Sequence, residues 1–114
     1  EKVSYIIKFE KVLSYIEENL NKQLDLKDLA SKAFLHPTYF SNLFCKFMGV
    51  PPIKYINLKK IEKAKTLLFS QNDSVEQISE KLGFLDAFYF SRIFKKITGI
   101  PPIQYRKMIR KFST

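Results

Sequence analysis

The sequence predicts an all-α fold of two helix-turn-helix subdomains joined by a long linker helix. Three observations predict it. Capping residues, glycine stops and Pro-Pro restarts are dense along the chain. Strand signals are poor: there is no Asn-Gly or Asp-Gly turn and little sustained alternation of apolar and polar residues. One passage is written twice. "YFSNLFCKFMGVPPIKY" runs from Tyr39 to Tyr55, "YFSRIFKKITGIPPIQY" runs from Tyr89 to Tyr105, and the two agree at ten of seventeen positions.

A first helix is expected over about 4–19. Asp25 then stands as N-cap for a short helix over 26–33, its carboxylate able to accept from the exposed amides of the first turn. His36-Pro37 begins the next helix, with proline at the first helical position, where a missing N–H costs nothing. Gly49 ends it in the usual C′ role. Pro51-Pro52 forces a break, and Pro52 opens a long helix to about 70. Ser74-x-x-Gln77 fits a capping box for a helix over 75–82, which Gly83 ends. Asp86 caps a helix to Thr98, Gly99 stops it, and Pro101-Pro102 opens a last helix over 102–111.

Each half therefore holds a short helix, a tight turn and a longer helix, which is the helix-turn-helix layout. Two copies are too few for a solenoid array. Leu29 to Tyr39 is ten residues and Ile78 to Tyr89 is eleven, so the turn of the second copy is one residue longer. The division this suggests is 1–51 for the first helix and first motif, 52–70 for the linker helix, and 71–114 for the second motif.

With 114 residues and 46% hydrophobic content, the chain can bury a core for one ordinary domain or two very small ones. That core is aromatic, with eleven Phe, six Tyr and no Trp. No stretch reaches the ~20 apolar residues of a membrane span, and no signal-peptide pattern opens the chain. The start on Glu1, without Met, reads as part of something longer. A single Cys, Cys45, forms no internal disulfide and fits a reducing cytoplasm. One His and one Cys exclude the usual His/Cys metal clusters, and no cofactor or metal is expected.

The net charge of +9 is uneven. Residues 1–28 carry five Lys and six acids, the remainder fifteen Lys/Arg and five acids, and no acid follows Asp86. Such asymmetry suggests a polyanion partner, although a lysine-rich surface also serves solubility alone.

On a wheel of 100° per residue, Phe40, Leu43, Phe44 and Phe47 of the first long motif helix fall on one stripe, as do Phe90, Ile93, Phe94 and Ile97 of the second. Both stripes are expected to be core. Opposite them lie Thr38, Asn42 and Cys45 in the first copy and Phe88, Arg92 and Lys95 in the second. Ser41 and Lys46, and Ser91 and Lys96, stand at the flanks. The inside is shared and the outside differs, which suggests two readers of different targets. The outward types suit base edges: Arg bonds guanine bidentately, Asn bonds adenine, and an apolar group meets a thymine methyl. An exposed Phe88 is expected to meet such a partner, or else a neighbouring loop or helix.

The linker of nineteen residues, at ~1.5 Å each, spans about 28 Å, against ~34 Å between successive major-groove segments on one face of DNA. Lys54, Lys59, Lys60, Lys63 and Lys65 along it are expected to be exposed, either solvated or facing phosphates.

Read together, these residues resemble the AraC/XylS family of bacterial transcription regulators. "GFLDAFYFSRIFKKITGIPPIQYR", Gly83 to Arg106, carries the Gly-Phe, Tyr-Phe-Ser-Arg, Phe-Lys-Lys, Gly and Pro-x-x-Tyr-Arg elements of that family's signature. The first copy has the weaker upstream form, and the likeness covers roughly 8–111. It implies a seven-helix, homeodomain-like DNA-binding unit whose second motif helices, about 37–48 and 87–98, enter successive major grooves of double-stranded DNA. On the matching positions, base contacts fall to Thr38, Ser41 and Asn42, and to Ala87, Phe88, Ser91 and Arg92. Phosphate contacts fall to His36, Tyr39, Lys46, Tyr89, Lys95 and Lys96. Asn42 stands where the family often has Arg, Cys45 where Lys is frequent, and Ser79 where a small Ala is usual. The resemblance also implies an effector or receiver domain that is absent from this chain, and RNA polymerase as a further partner.

Two other functions compete with DNA reading. One is a basic helical module docking an acidic protein partner. The other is an enzyme, for which the sequence offers no glycine-rich phosphate loop and no nucleophile elbow. Solitary His36 sits at a helix start, and Glu17 and Glu18 are helix neighbours facing different directions.

Overall fold

A computed structural model describes residues 2–70 and 72–112. Among these there are seven helices and no strand: α1 (Lys2–Glu18), α2 (Leu26–Lys32), α3 (Pro37–Met48), α4 (Pro52–Ser70), α5 (Val75–Lys81), α6 (Ala87–Thr98) and α7 (Pro102–Phe112). The boundaries lie within two residues of those expected. Asp25 accepts from the Asp28 amide at 2.8 Å. Ser74 and Gln77 close both halves of the capping box, at 3.1 and 2.8 Å. Gly49 and Gly99 end α3 and α6 in the left-handed region.

The chain divides into two compact units, 1–20 with 24–56, and 21–23 with 57–114. In the first, Phe9, Val12 and Ile16 of α1 pack with Leu29 and Ala30 of α2 and Phe40 and Phe44 of α3. In the second, Ile61, Ala64 and Leu68 of α4 pack with Val75 and Ile78 of α5 and Phe90 and Phe94 of α6. The same edge-on ring pair closes both. Phe44 meets Tyr55 at 5.5 Å, and Phe94 meets Tyr105 at 5.3 Å. The opening turns of α4 thus complete the first unit as α7 completes the second, while the rest of α4 fills the second unit's core. Arg106, next to Tyr105, donates from Nε to the Leu68 carbonyl at 3.0 Å, satisfying an orphan acceptor in the last turn of α4.

The core stripe holds at Phe40, Phe44, Phe90 and Phe94, which are fully buried. It fails at Phe47, which touches Phe9 at 5.6 Å but is 44% exposed. A helical wheel gives direction around an axis; it says nothing of how deep each turn sits along it.

Both motif turns use one hydrogen-bond pattern. Leu35 donates to the Ala30 carbonyl at 3.0 Å and Phe84 to the Ser79 carbonyl at 3.1 Å, the six-to-one bond of a Schellman turn. The residue before each donor is left-handed, Phe34 at φ 57 and Gly83 at φ 68. At Gly83 there is no alternative to glycine. A Cβ built there lies 2.6 Å from the Lys22 carbonyl oxygen and 2.7 Å from the Lys22 Cα, inside any real contact distance.

Lys60 corrects the expectation of an exposed lysine row. It is buried, and its ammonium donates to the carbonyls of Lys22 and Leu82 at 2.6 Å and of Gly83 at 3.4 Å, beside the Phe84 ring. A wheel does not find this, because the three acceptors come from chain-distant loops. Burial lowers the Lys60 pKa from 10.5 to about 8. The sign follows from proton counting. Below pH 8 both folded and unfolded chains hold the proton. Between about 8 and 10.5 the unfolded chain holds a proton that the folded chain has shed, so stability rises with pH. We predict a positive slope of up to ~1.4 kcal/mol per pH unit from this group in urea denaturation, flattened in Lys60→Met. Equal slopes in the two proteins would refute it.

Candidate nucleic-acid interface

The two longer motif helices begin with different caps. The His36 Nδ1 accepts from the Thr38 amide at 3.3 Å. The Asp86 carboxylate accepts from the Tyr89 amide at 2.7 Å. An Nδ1 that accepts leaves Nε2 as the ring's exposed donor at the start of α3.

On α3, Thr38, Asn42 and Lys46 are exposed and recur every four residues, so they share one face. Ser41 is half-buried beside them, as is Cys45. On α6, Phe88, Arg92, Lys95 and Lys96 are exposed, and Ala87 and Ser91 are half-buried. Phe88 is 85% exposed, so the alternative of a covering loop or helix fails. Both tyrosines are partly engaged: the Tyr39 hydroxyl lies 3.3 Å from that of Tyr5, and the Tyr89 ring packs on Phe84 at 6.1 Å. Ser79, the unusual residue of α5, is buried.

The two faces differ in charge. The α3 face carries one cation, Lys46, and the α6 face carries Arg92, Lys95 and Lys96. Lys46, Lys95 and Lys96 stand in the last turns of their helices, where the helix dipole favours positive charge. A polyanion would be held more firmly by α6.

Two exposed residues escaped the sequence reading. Leu85, 73% exposed, precedes the Asp86 cap in the longer second turn. Phe34, 86% exposed, occupies the left-handed position of the first. The one-residue slip between the copies pointed to the turn. No periodic signal reports on turn residues. Among the described residues no group of His, Cys, Asp and Glu is placed to hold a metal, and no helix is long and apolar enough to cross a membrane.

Two three-helix motifs, each presenting an exposed helix face opposite a phenylalanine core, define the class of tandem helix-turn-helix units. The family described as "Helix-turn-helix domain" matches residues 29–108, and the chain belongs to it, in the AraC/XylS type. DNA binding by tandem helix-turn-helix motifs is the function this membership carries. The regulatory protein PocR of Salmonella typhimurium is 38% identical over 77 residues, covering 68% of this chain and 25% of PocR. The chain thus spans about a quarter of the length of that relative. Among solved structures, the C-terminal domain of the two-component response regulator yesN from Fusobacterium nucleatum is similar with a TM-score of 0.81 and 39% identity, covering 85% of this chain and 95% of that one. The DNA-binding domain of AdpA, solved in complex with a target DNA, shares the fold with a TM-score of 0.87 at 24% identity, covering 91% and 94%.

Proposed function

We propose that the chain reads duplex DNA through two non-equivalent faces, α3 and α6 each entering a major groove, in successive segments about one turn apart. One observation carries this. On a repeated scaffold with a matched core, the exposed positions Asn42 and Arg92 coincide and differ in chemistry. Thr38, Ser41 and Asn42 contact bases in the first site, and Ala87, Phe88, Ser91 and Arg92 in the second. His36, Tyr39, Lys46, Tyr89, Lys95 and Lys96 contact phosphates. Phosphate neutralisation supplies most of the affinity and makes it salt-dependent, and the outward faces supply sequence preference. The setting is a longer cytoplasmic regulator, in which an effector or receiver domain controls the unit and RNA polymerase is the downstream partner. The greater length of PocR, and the C-terminal place of the similar domain in the response regulator yesN, support a longer regulator.

The test is binding-site selection from random duplexes on the wild type, Arg92→Ala and Lys96→Ala. Arg92→Ala is expected to cost roughly 1–3 kcal/mol at one base step and relax preference there. Lys96→Ala is expected to weaken all sequences alike and reduce the salt slope by about one. An unchanged preference at every position in Arg92→Ala would remove Arg92 from the reading face.

A further inference from the structure

Phe34 is disfavoured twice where it stands. Its backbone is left-handed at φ 57, a conformation that side chains resist and that the second copy fills with Gly83. Its ring is 86% exposed to water. The turn requires the left-handed backbone but not a phenylalanine there: Phe34 is absent from the first unit's core, and the turn's hydrogen bonds are all backbone. A glycine, as in the matched turn, would relieve both.

The ring is not isolated. With Val3, Ile7, Lys8, Lys11 and Lys32 it lines a shallow cleft between α1 and the end of α2. Val3 is 68% exposed and Ile7 50%. The Lys32 ammonium is seated 4.0 Å over the Tyr15 ring, and Lys8 lies 5.7 Å over Tyr5. No acidic side chain lines the cleft among the described residues.

We propose that this cleft is a docking site for an acidic, apolar-anchored segment of another protein, with Phe34 as its central contact. Exposed aromatic and aliphatic side chains supply the contact area, and three lysines without a lining counter-charge select carboxylates. A nucleic-acid backbone would leave Val3, Ile7 and Phe34 unused. An amphipathic acidic segment buries them and neutralises the rim.

The probe is a displayed library of random peptides, selected on the whole chain. Enrichment of peptides that combine Asp or Glu with an aromatic or aliphatic anchor is expected. Their affinity is expected to fall roughly tenfold or more in Phe34→Gly, and measurably in Lys11→Glu. The thermal midpoint of Phe34→Gly should stay level or rise, because glycine suits the turn, and its DNA affinity should not change. Retention of peptide binding by Phe34→Gly, or enrichment without acidic residues, overturns the proposal. So does a concentration-dependent dimer that Phe34→Gly abolishes, which would make the occupant a second copy. Loss of phosphatidylserine-vesicle binding in Phe34→Gly would assign the cleft to a membrane surface, and loss of DNA affinity would assign Phe34 to the DNA face.

Discussion

Gly83→Ala is expected to destabilise the second unit by more than ~3 kcal/mol, a large part of the ~5–15 kcal/mol that holds a small domain together. Two costs add. A non-glycine residue at φ +68 gives up roughly 1–2 kcal/mol. The added methyl also meets backbone, with the Lys22 carbonyl oxygen 2.6 Å away and its carbonyl carbon closer still. Backbone cannot step aside as a side-chain tip can, so the Lys22 segment must move. That segment is held by the Lys60 ammonium, which also grips the Leu82 carbonyl. Relief of the overlap therefore loosens the buried lysine as well, leaving carbonyls without a donor. Gly49→Ala is the internal control. It too is left-handed, at φ +84, but its methyl would meet nothing within 4 Å. It should cost only about 1 kcal/mol. Urea denaturation followed by circular dichroism separates the two, and equal costs would show that the Lys22 approach is not tight.

The features legible in the sequence were those set by near neighbours along the chain. Asp25, Ser74 with Gln77, and Asp86 announce helix starts because a cap bonds an amide two or three residues on. Pro52 and Pro102 announce restarts because proline acts on its own backbone. The outward placement of Asn42 and Arg92 followed from helical period alone, and the seven-helix unit from the family resemblance. Lys60 was not legible, because its burial depends on acceptors 38 and 22 residues away. Nor was the contrast between Phe34 and Gly83. Both turns share the six-to-one bond and the bond nested inside it, but at Gly83 a chain-distant backbone closes in.

The limits of periodic reasoning give the second large effect, between two phenylalanines of one stripe. Phe44 is fully buried and meets Phe9 at 5.9 Å, Phe40 at 5.7 Å and Tyr55 at 5.5 Å. Phe44→Ala leaves a cavity bounded by three rings carried on α1, α3 and α4. These cannot all collapse inward without moving their helices, so the full ~3–5 kcal/mol of a buried Phe→Ala change is expected. Phe47 lies on the same stripe, about 60° round the wheel from Phe44, yet it is 44% exposed and its ring meets Phe9. Much of its surface is already in water, and solvent rather than a void replaces the ring. Phe47→Ala should cost about 1 kcal/mol. The functional consequence should follow the same order. With Phe44→Ala the first unit no longer holds α3 firmly, and preference at the bases that the proposed reading assigns to Asn42 should fade before preference at those it assigns to Arg92. With Phe47→Ala both preferences should persist. Equal unfolding costs for the two variants would mean that Phe47 is as much core as Phe44.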